Sequence, residues 1–190
     1  MSEIWDRIEA WLRVNAPEIL ASLRPGATDG RIDEAERSLG ITFPEPVRDS
    51  YRVHDGQRPD GGGLIEGWEF LSLERIEDEW KLWRGLLEGG DFRGIASEPD
   101  DGIRPDWWNP RWIPLTYDGA GDHHCLDLDP APGGEVGQII EMWHDEPSRP
   151  LVARSYREWL EGFAADLEAR LYVHSEDYGG LVERDKIGEE

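Results

Sequence analysis

Apolar residues recur every three to four positions in five segments of the chain, and this spacing predicts five amphipathic helices. The residues that define the five apolar faces are, in order, Ile4, Ile8, Trp11 and Leu12; Ile32, Ala35 and Leu39; Val47 and Tyr51; Ile76, Trp80, Trp83 and Leu87; and Leu160, Phe163, Leu167 and Leu171. Pro17 predicts the end of the first helix and Gly40 the end of the second. Ser155 and Glu158 have the spacing of a capping box at the start of the last helix.

Alternating apolar and polar residues predict β-strands in the middle of the chain. One irregular strand is expected over residues 64–71, before Ser72 caps the fourth helix. Three more strands are expected within residues 112–143, joined by the turn sequences DGAGD and DPAPGG, which are typical of an antiparallel meander. This order of elements predicts an α+β fold, a single domain in which a central, largely antiparallel sheet packs against N-terminal helices and a C-terminal helix.

Two segments show no regular spacing of apolar residues. Residues 89–110 are rich in glycine, proline and acids, which predicts a long surface loop. The helical pattern stops after Val173, so residues 174–190 are predicted to form an acidic flexible tail. The predicted domain therefore spans residues 1–173.

The 190 residues include 42 acids and 20 bases, which gives a formal net charge of −22. Such a surface repels nucleic-acid phosphates and anionic lipids, and it favours association with basic proteins. The acids are concentrated between Glu98 and Glu146, where there are twelve acids and two bases. Cys125 is the single cysteine, which excludes an internal disulfide and is typical of a reducing compartment. No long apolar run predicts a membrane span, and we expect a cytoplasmic protein.

Four aspartates and a histidine pair are of the residue types that bind a divalent ion: Asp118, Asp122, His123, His124, Asp127 and Asp129. Their spacing is not that of an EF-hand loop. Neighbouring histidines on a strand point to opposite faces, so His123 and His124 are not expected to share an ion. Asp127 lies between two leucines, which predicts a solvent-facing side chain. We therefore expect a solvated acidic rim without a metal or a cofactor.

No established catalytic motif is present in the chain. A nucleophilic Cys125 needs a positively charged neighbourhood, whereas its neighbourhood here is acidic. The dipeptides His54-Asp55 and His144-Asp145 are not enough to form a catalytic relay. We expect no enzymatic activity and no catalytic residues.

Trp107 and Trp108 differ from the other tryptophans because they occur in the acidic, proline-rich loop. Exposed aromatic side chains in such a loop are candidate anchors for a protein partner or stacking surfaces for a sugar. The alternative is that both side chains fold back over the core.

Three blocks resemble, in the same order, the signature blocks of the Smi/Knr-like SUKH superfamily: LGITFPEPVRDSYRVHDGQ, GWEFLSLERI and WIPLTYDGAGDHHCLDLDPAPGGEVGQII. The resemblance covers about residues 1–172, and the last block is the most specific. The first block has His54-Asp55-Gly56 where the superfamily often has Asn-Gly. The resemblance implies an α+β fold without catalytic residues, in which the motif residues determine fold and surface; these are Trp112, Gly119, Asp122 and Gly137.

The resemblance also implies a choice between two kinds of binding protein. Bacterial members are often immunity proteins that neutralise toxins, and fungal members regulate cell-wall glucan synthesis or act as interaction hubs. The leading hypothesis is an immunity-type protein that binds a basic toxin through an acidic face, and the alternative is a regulator of the fungal kind. The residues predicted to contact the partner are Asp100, Asp101, Asp106, Trp107, Trp108, Asp118, Asp122, Asp127 and Asp129.

Overall fold

The computed structural model of the protein describes residues 1–187 and contains the five predicted helices. A sixth, short helix begins at Pro17, because proline at the first helical position sacrifices no hydrogen bond. The helices are α1 Ser2–Asn15, α2 Pro17–Ser22, α3 Asp29–Leu39, α4 Glu45–Val53, α5 Leu73–Gly89 and α6 Tyr156–Glu168, and a 3-10 turn spans Arg184–Lys186. None of these helices is long and apolar enough to cross a membrane.

The helix ends follow the capping residues read from the sequence. The Ser72 hydroxyl accepts a hydrogen bond from the Arg75 amide at 3.3 Å, and the Ser155 hydroxyl accepts one from the Glu158 amide at 3.2 Å. Gly40 ends α3 with φ of 68°, in the left-handed region that favours glycine. The side-chain caps and this glycine stop fix where α3, α5 and α6 begin or end.

The strands of residues 1–187 form one four-stranded antiparallel sheet and three two-stranded pairs. Their bounds are β1 Glu69–Phe70, β2 Glu98–Pro99, β3 Trp112–Pro114, β4 Thr116–Tyr117, β5 His123–Asp127, β6 Gln138–Met142, β7 Ser148–Arg149, β8 Leu151–Ala153, β9 Tyr172–Ser175 and β10 Gly180–Glu183. The main sheet has the order β3-β5-β6-β8, with Cys125 opposite Ile140. The pairs β1–β4 and β9–β10 are antiparallel, whereas β2–β7 is parallel. The expected meander is therefore the centre of the fold.

Both faces of the main sheet are covered, and all five residues of β5 are buried. On one face His123 contacts Trp83 of α5, and on the other His124 packs against Trp159 of α6 at a ring distance of 5.6 Å. The prediction that Asp127 faces solvent is therefore wrong, because its relative exposure is 0%. An alternating pattern indicates a half-exposed strand only when one face of the sheet remains uncovered.

Buried polar groups connect the helices on one side of the sheet. The Ser50 hydroxyl of α4 accepts hydrogen bonds from the Trp5 indole of α1 at 2.9 Å and from the Tyr156 hydroxyl of α6 at 2.8 Å. The neighbouring Tyr51 hydroxyl donates to the carbonyl of Leu71 at 2.9 Å. These bonds satisfy polar groups that are costly to bury alone, and they fix the relative positions of α1, α4 and α6.

Residues 174–187, predicted to form part of a flexible tail, instead complete a hairpin and a 3-10 turn. The hairpin docks on the loop at Gly63, whose amide donates to Gly179 and whose carbonyl accepts from Leu181, both at 2.9 Å. Leu181 is completely buried. The prediction was wrong because a short hairpin held by backbone bonds leaves little helical periodicity; residues 188–190 of the predicted tail lie outside the described residues.

Glycines 63 and 85 provide a contrasting pair of positions. A methyl group on Gly63 would lie 1.7 Å from the carbonyl oxygen of Gly67, whereas one on Gly85, in the exposed part of α5, meets nothing within 4 Å. We expect Gly63→Ala to lower the free energy of unfolding by about 1–3 kcal/mol through overpacking. Gly85→Ala should raise it by up to about 1 kcal/mol. Urea denaturation measures both, and a Gly63→Ala variant as stable as the parent chain would contradict the close packing.

Candidate functional site

The aspartates predicted to form a binding face divide into exposed residues and residues that hold turns. Asp118 belongs to the second class, because its Oδ1 accepts hydrogen bonds from the amides of Ala120, Gly121 and Asp122, each at 2.8 Å. It closes the DGAGD turn between β4 and β5. Its charge is therefore partly used by backbone donors of its own turn.

Asp122 is the last residue of the DGAGD turn, directly before β5, and is only 6% exposed. Its Oδ1 accepts from both the amide and the Nδ1 of His144, each at 2.8 Å. This hydrogen bond raises the pKa of His144 above its ordinary value. Within residues 1–187, Asp122, His144 and Asp145 place potential metal-ligand atoms within 4.8 Å of one another. The two hydrogen bonds between Asp122 and His144 explain why these side chains lie together, since they link the start of β5 to the segment that follows β6.

Asp127 is a buried acceptor, not part of a solvated rim. Its Oδ2 accepts from the Gln138 side chain at 2.8 Å, and its Oδ1 accepts from the Asp129 amide at 2.9 Å. Desolvation raises the pKa of this carboxyl. Asp129 itself pairs with Arg104 at 2.8 Å. Neither side chain presents an unpaired carboxylate to a partner.

The two loop tryptophans are not exposed anchors. Trp108 is 3% exposed and stacks on Trp83 with the ring centroids 6.3 Å apart. Trp107 is half-buried, and the guanidinium of Arg149 lies 5.1 Å from its ring centroid. The alternative that both side chains fold back over the core is therefore correct for Trp108. It is partly correct for Trp107, whose side chain is half-buried.

Arg149 organises this part of the surface, although no motif or spacing in the sequence singles it out. It is completely buried and donates to the carbonyl oxygens of Trp107, Glu146 and Ser148 at 2.5–2.7 Å. Burial lowers the pKa of its guanidinium to about 10, so it stays charged at neutral pH. Within residues 1–187 no carboxylate forms an ion pair with it. Its role is to hold the loop against β7.

Four exposed acids surround the parallel pair β2–β7, and we call this surface the β2–β7 edge: Glu98, Asp101, Asp145 and Glu146. The Glu98 amide donates to the Pro147 carbonyl at 2.7 Å, and the Asp100 amide donates to the Arg149 carbonyl at 3.1 Å. These bonds bring two segments almost fifty residues apart into one acidic strip. Only Asp101 of this strip was among the predicted contact residues, because the parallel pairing has no signature in the sequence.

Two other predicted contact residues lie beside this edge and are already engaged. Asp100 is exposed, and its Oδ2 accepts from the Leu151 amide at 2.9 Å. Asp106 is half-buried and accepts from the Asn109 side chain at 2.8 Å. Both carboxylates lie beside the edge and also hold the local backbone or side chains in place.

The buried groups of β5 are unsuited to nucleophilic or acid–base chemistry. Desolvation lowers the pKa of His123 to about 4 and that of His124 to about 3, so both rings are neutral at pH 7. Burial raises the pKa of the Cys125 thiol far above its ordinary value. A catalytic cysteine requires the opposite shift. The geometry therefore favours packing roles for these three residues.

The comparisons with known proteins identify the family. The family model for the SMI1 / KNR4 family (SUKH-1) matches residues 26–162. The chain is 34% identical to the cell wall biosynthesis/cell cycle regulator smi1 of Schizosaccharomyces pombe, over 95% of this chain and 39% of that protein. This chain belongs to the SMI1/KNR4 family.

Further relatives of the SMI1/KNR4 chain have related names. It is 30% identical to the cell wall assembly regulator SMI1 of Saccharomyces cerevisiae, over 96% of this chain and 45% of that protein. It is 29% identical to the glucan synthesis regulatory protein of Neurospora crassa, over 95% and 41% of the two chains. This chain thus spans about two fifths of the length of these relatives. Their names are those of regulators, not enzymes, and none supports the immunity-type hypothesis.

The four residues selected by the resemblance lie in the strands and turns of the last block. Trp112 is completely buried, and Asp122 closes the turn with His144. Gly119 and Gly137 have φ of 98° and 93°, which other residues rarely adopt. These four residues are thus mainly determinants of structure.

The difference between buried and exposed acids is testable with one pair of variants. Asp127→Ala leaves the part-buried Asp129 amide and the buried Gln138 side-chain amide without their acceptor, so we expect a loss of about 2–3 kcal/mol of unfolding free energy. The exposed Asp101→Ala should change it by less than about 0.5 kcal/mol. Thermal and urea unfolding compare the two, and equal losses would contradict the burial of Asp127.

Glu141 on β6 generates a prediction for the pH dependence of stability. Desolvation, with Glu66 and Asp122 nearby, raises the pKa of its carboxyl from 4.5 to about 7. Stability should therefore fall as pH rises from 4.5 to 7, because the folded protein has to ionise a group that it holds in the neutral form. Glu141→Gln should add about 1–2 kcal/mol at pH 8 and little at pH 4.5, since partial exposure reduces the effect.

The matched control is Glu176→Gln on the exposed hairpin turn, which should leave the pH profile unchanged. Urea denaturation of the parent and both variants at several pH values provides the comparison. A Glu141→Gln effect that is the same at pH 4.5 and pH 8 would show that the carboxyl is not perturbed.

Proposed function

We propose that this chain is a non-catalytic protein-binding module of the cell-wall-regulator kind, and that it recruits a basic protein surface through the β2–β7 edge. The cell-wall part of the proposal rests on its relatives, which are named as regulators of cell wall assembly or glucan synthesis. Because the chain spans only part of those proteins, it corresponds to one module of such a regulator.

The observation that carries the binding part is the separation of the acids into two classes. Asp118, Asp122 and Asp127 are engaged within the fold, whereas Glu98, Asp101, Asp145 and Glu146 remain exposed. A field of one sign on an exposed strip steers an oppositely charged protein and increases the rate of association. The loop that carries half of the strip is fixed by Arg149, so the acids are presented on ordered backbone.

The names of the relatives give no support to a basic toxin as the partner. The β2–β7 edge is complementary to a positive surface of any protein, whether or not that protein is a toxin. A basic segment of another regulatory protein satisfies the same chemistry. The proposed partner is therefore defined by its positive surface.

The binding part is tested by neutralising the edge in the full chain. A variant with Glu98→Gln, Asp101→Asn, Asp145→Asn and Glu146→Gln should capture its partner from cells of the source organism at least about tenfold more slowly at low salt. The control neutralises four exposed acids elsewhere: Glu3→Gln, Glu34→Gln, Glu176→Gln and Asp177→Asn. Association rates measured by surface plasmon resonance with the captured protein should fall for the first variant alone. Equal rates for both variants would refute the role of the edge.

The cell-wall part needs a separate measurement. Deletion of the gene in the source organism should change the amount or composition of the cell-wall polysaccharide, and the intact gene should restore it. The edge variant should restore it less well than the control variant. An unchanged wall in the deletion strain would refute the cell-wall role while leaving the binding measurement in force.

A further inference from the structure

A small cleft beside α6, the helix that covers one face of the main sheet, combines acids with aromatic rings. It has a volume of about 260 Å³ and lies between α6, β8, the first residue of β9 and the turn at Glu66. Trp159, Phe163 and Tyr172 form its floor, and their relative exposures are 5%, 6% and 5%. Its volume is below that of ordinary small-molecule pockets, roughly 300–1,000 Å³, and suits a single inserted side chain.

Three carboxylates line the rim of this cleft, and no described residue that lines it is basic. They belong to Glu66, Glu158 and Asp166. In residues 1–187 none of the three has a lysine or arginine side-chain nitrogen within 4.0 Å, although other acids on α6 do. Glu168, for example, pairs with Arg7 at 2.7 Å. Glu158 accepts a hydrogen bond from the backbone amide of Arg154 at 3.1 Å, which adds no positive charge. The acids at the cleft are thus without the counter-cation that their neighbours have.

A buried histidine behind the rim adds an independent observation. His124 is 1% exposed, and its Nδ1 lies 3.0 Å from the Thr116 hydroxyl. Its Nε2 lies 3.8 Å from Glu66 Oε2, which is beyond hydrogen-bond distance. The ring is neutral because burial lowers its pKa to about 3. His124 therefore does not neutralise Glu66, and its second nitrogen is directed at the carboxylate that lines the cleft.

Two further facts indicate a missing positive charge. Partial burial raises the pKa of Glu66, and the neighbouring Glu141 has a pKa of about 7 for the same reason and because of Glu66. The charge of Lys186 opposes both of these pKa shifts without cancelling them, because Lys186 pairs with Glu183 at 3.0 Å and is not among the residues that line the cleft. A cation in the cleft would offset the repulsion between the two glutamates.

From this combination we infer that the cleft binds the guanidinium group of an arginine side chain from a protein partner. The planar cation stacks on aromatic faces and forms paired hydrogen bonds with carboxylates, so one group satisfies both floor and rim. A hydrated metal ion would use the rim but gain nothing from three aromatic rings. The inference rests on the proposed function, since the arginine belongs to the partner of a binding module.

The probe for this test is N-acetyl-arginine methylamide, and the matched neutral compound is N-acetyl-citrulline methylamide. Titration of the ¹⁵N-labelled full chain should shift the indole signal of Trp159 in a saturable way with the arginine compound alone. Glu66→Gln with Asp166→Asn should weaken binding by about five- to tenfold, because each exposed ion pair contributes modestly. The control, Glu3→Gln with Glu34→Gln, changes two exposed acids that do not line the cleft, and it should change the affinity by less than about twofold.

The outcomes separate this inference from the proposed function. Equal shifts with arginine and citrulline compounds, absence of a saturable Trp159 shift, or equal weakening by both double variants would overturn the cleft assignment. Circular dichroism of each variant establishes that it is folded. The titration contains no protein partner, so its failure leaves capture through the β2–β7 edge unaffected. Conversely, if the edge variant no longer bound its protein partner, that result would not restore a cleft assignment that the titration had overturned.

Discussion

The structure depends on one constraint: β5 is buried on both faces, so each of its polar side chains needs a partner inside the fold. His123 accepts a hydrogen bond from the Trp83 indole at 3.1 Å, and Asp127 accepts one from Gln138. Unpaired polar groups at such depth are costly. Trp83 belongs to α5 and Gln138 to β6. The hydrogen bonds that satisfy the polar side chains of β5 therefore also position these two neighbouring elements.

The same constraint accounts for the distribution of charge. Asp118, Asp122 and Asp127 near the sheet accept hydrogen bonds from turn amides, from His144 or from Gln138, whereas the four acids of the β2–β7 edge remain exposed. Arg149 shows the converse for a base, because its charge is spread over three carbonyl oxygens and the ring of Trp107. Net charge alone therefore overstates the acidic surface that a partner meets.

The two proposed contact regions have complementary roles in recognition. An exposed strip such as the β2–β7 edge changes the rate of encounter, whereas a cleft with aromatic walls changes how long a bound side chain stays. Both favour a partner rich in arginine or lysine. The proposed binding of a basic protein through these two features agrees with relatives that are named as regulators.

The sequence by itself determined five of the six helices, the caps at Ser72 and Ser155, the antiparallel meander and the family, because each depends on local spacing or on contiguous motifs. It predicted β5 correctly as a strand and placed His123 and His124 on opposite faces. Only the tertiary structure decided that Asp127 and Trp108 are buried, that residues 172–183 form a hairpin, and that Glu98 lies beside Glu146. The reason is physical: exposure depends on which distant segments cover a face, and neither α6 over β5 nor the β2–β7 pairing leaves a periodic trace in the chain.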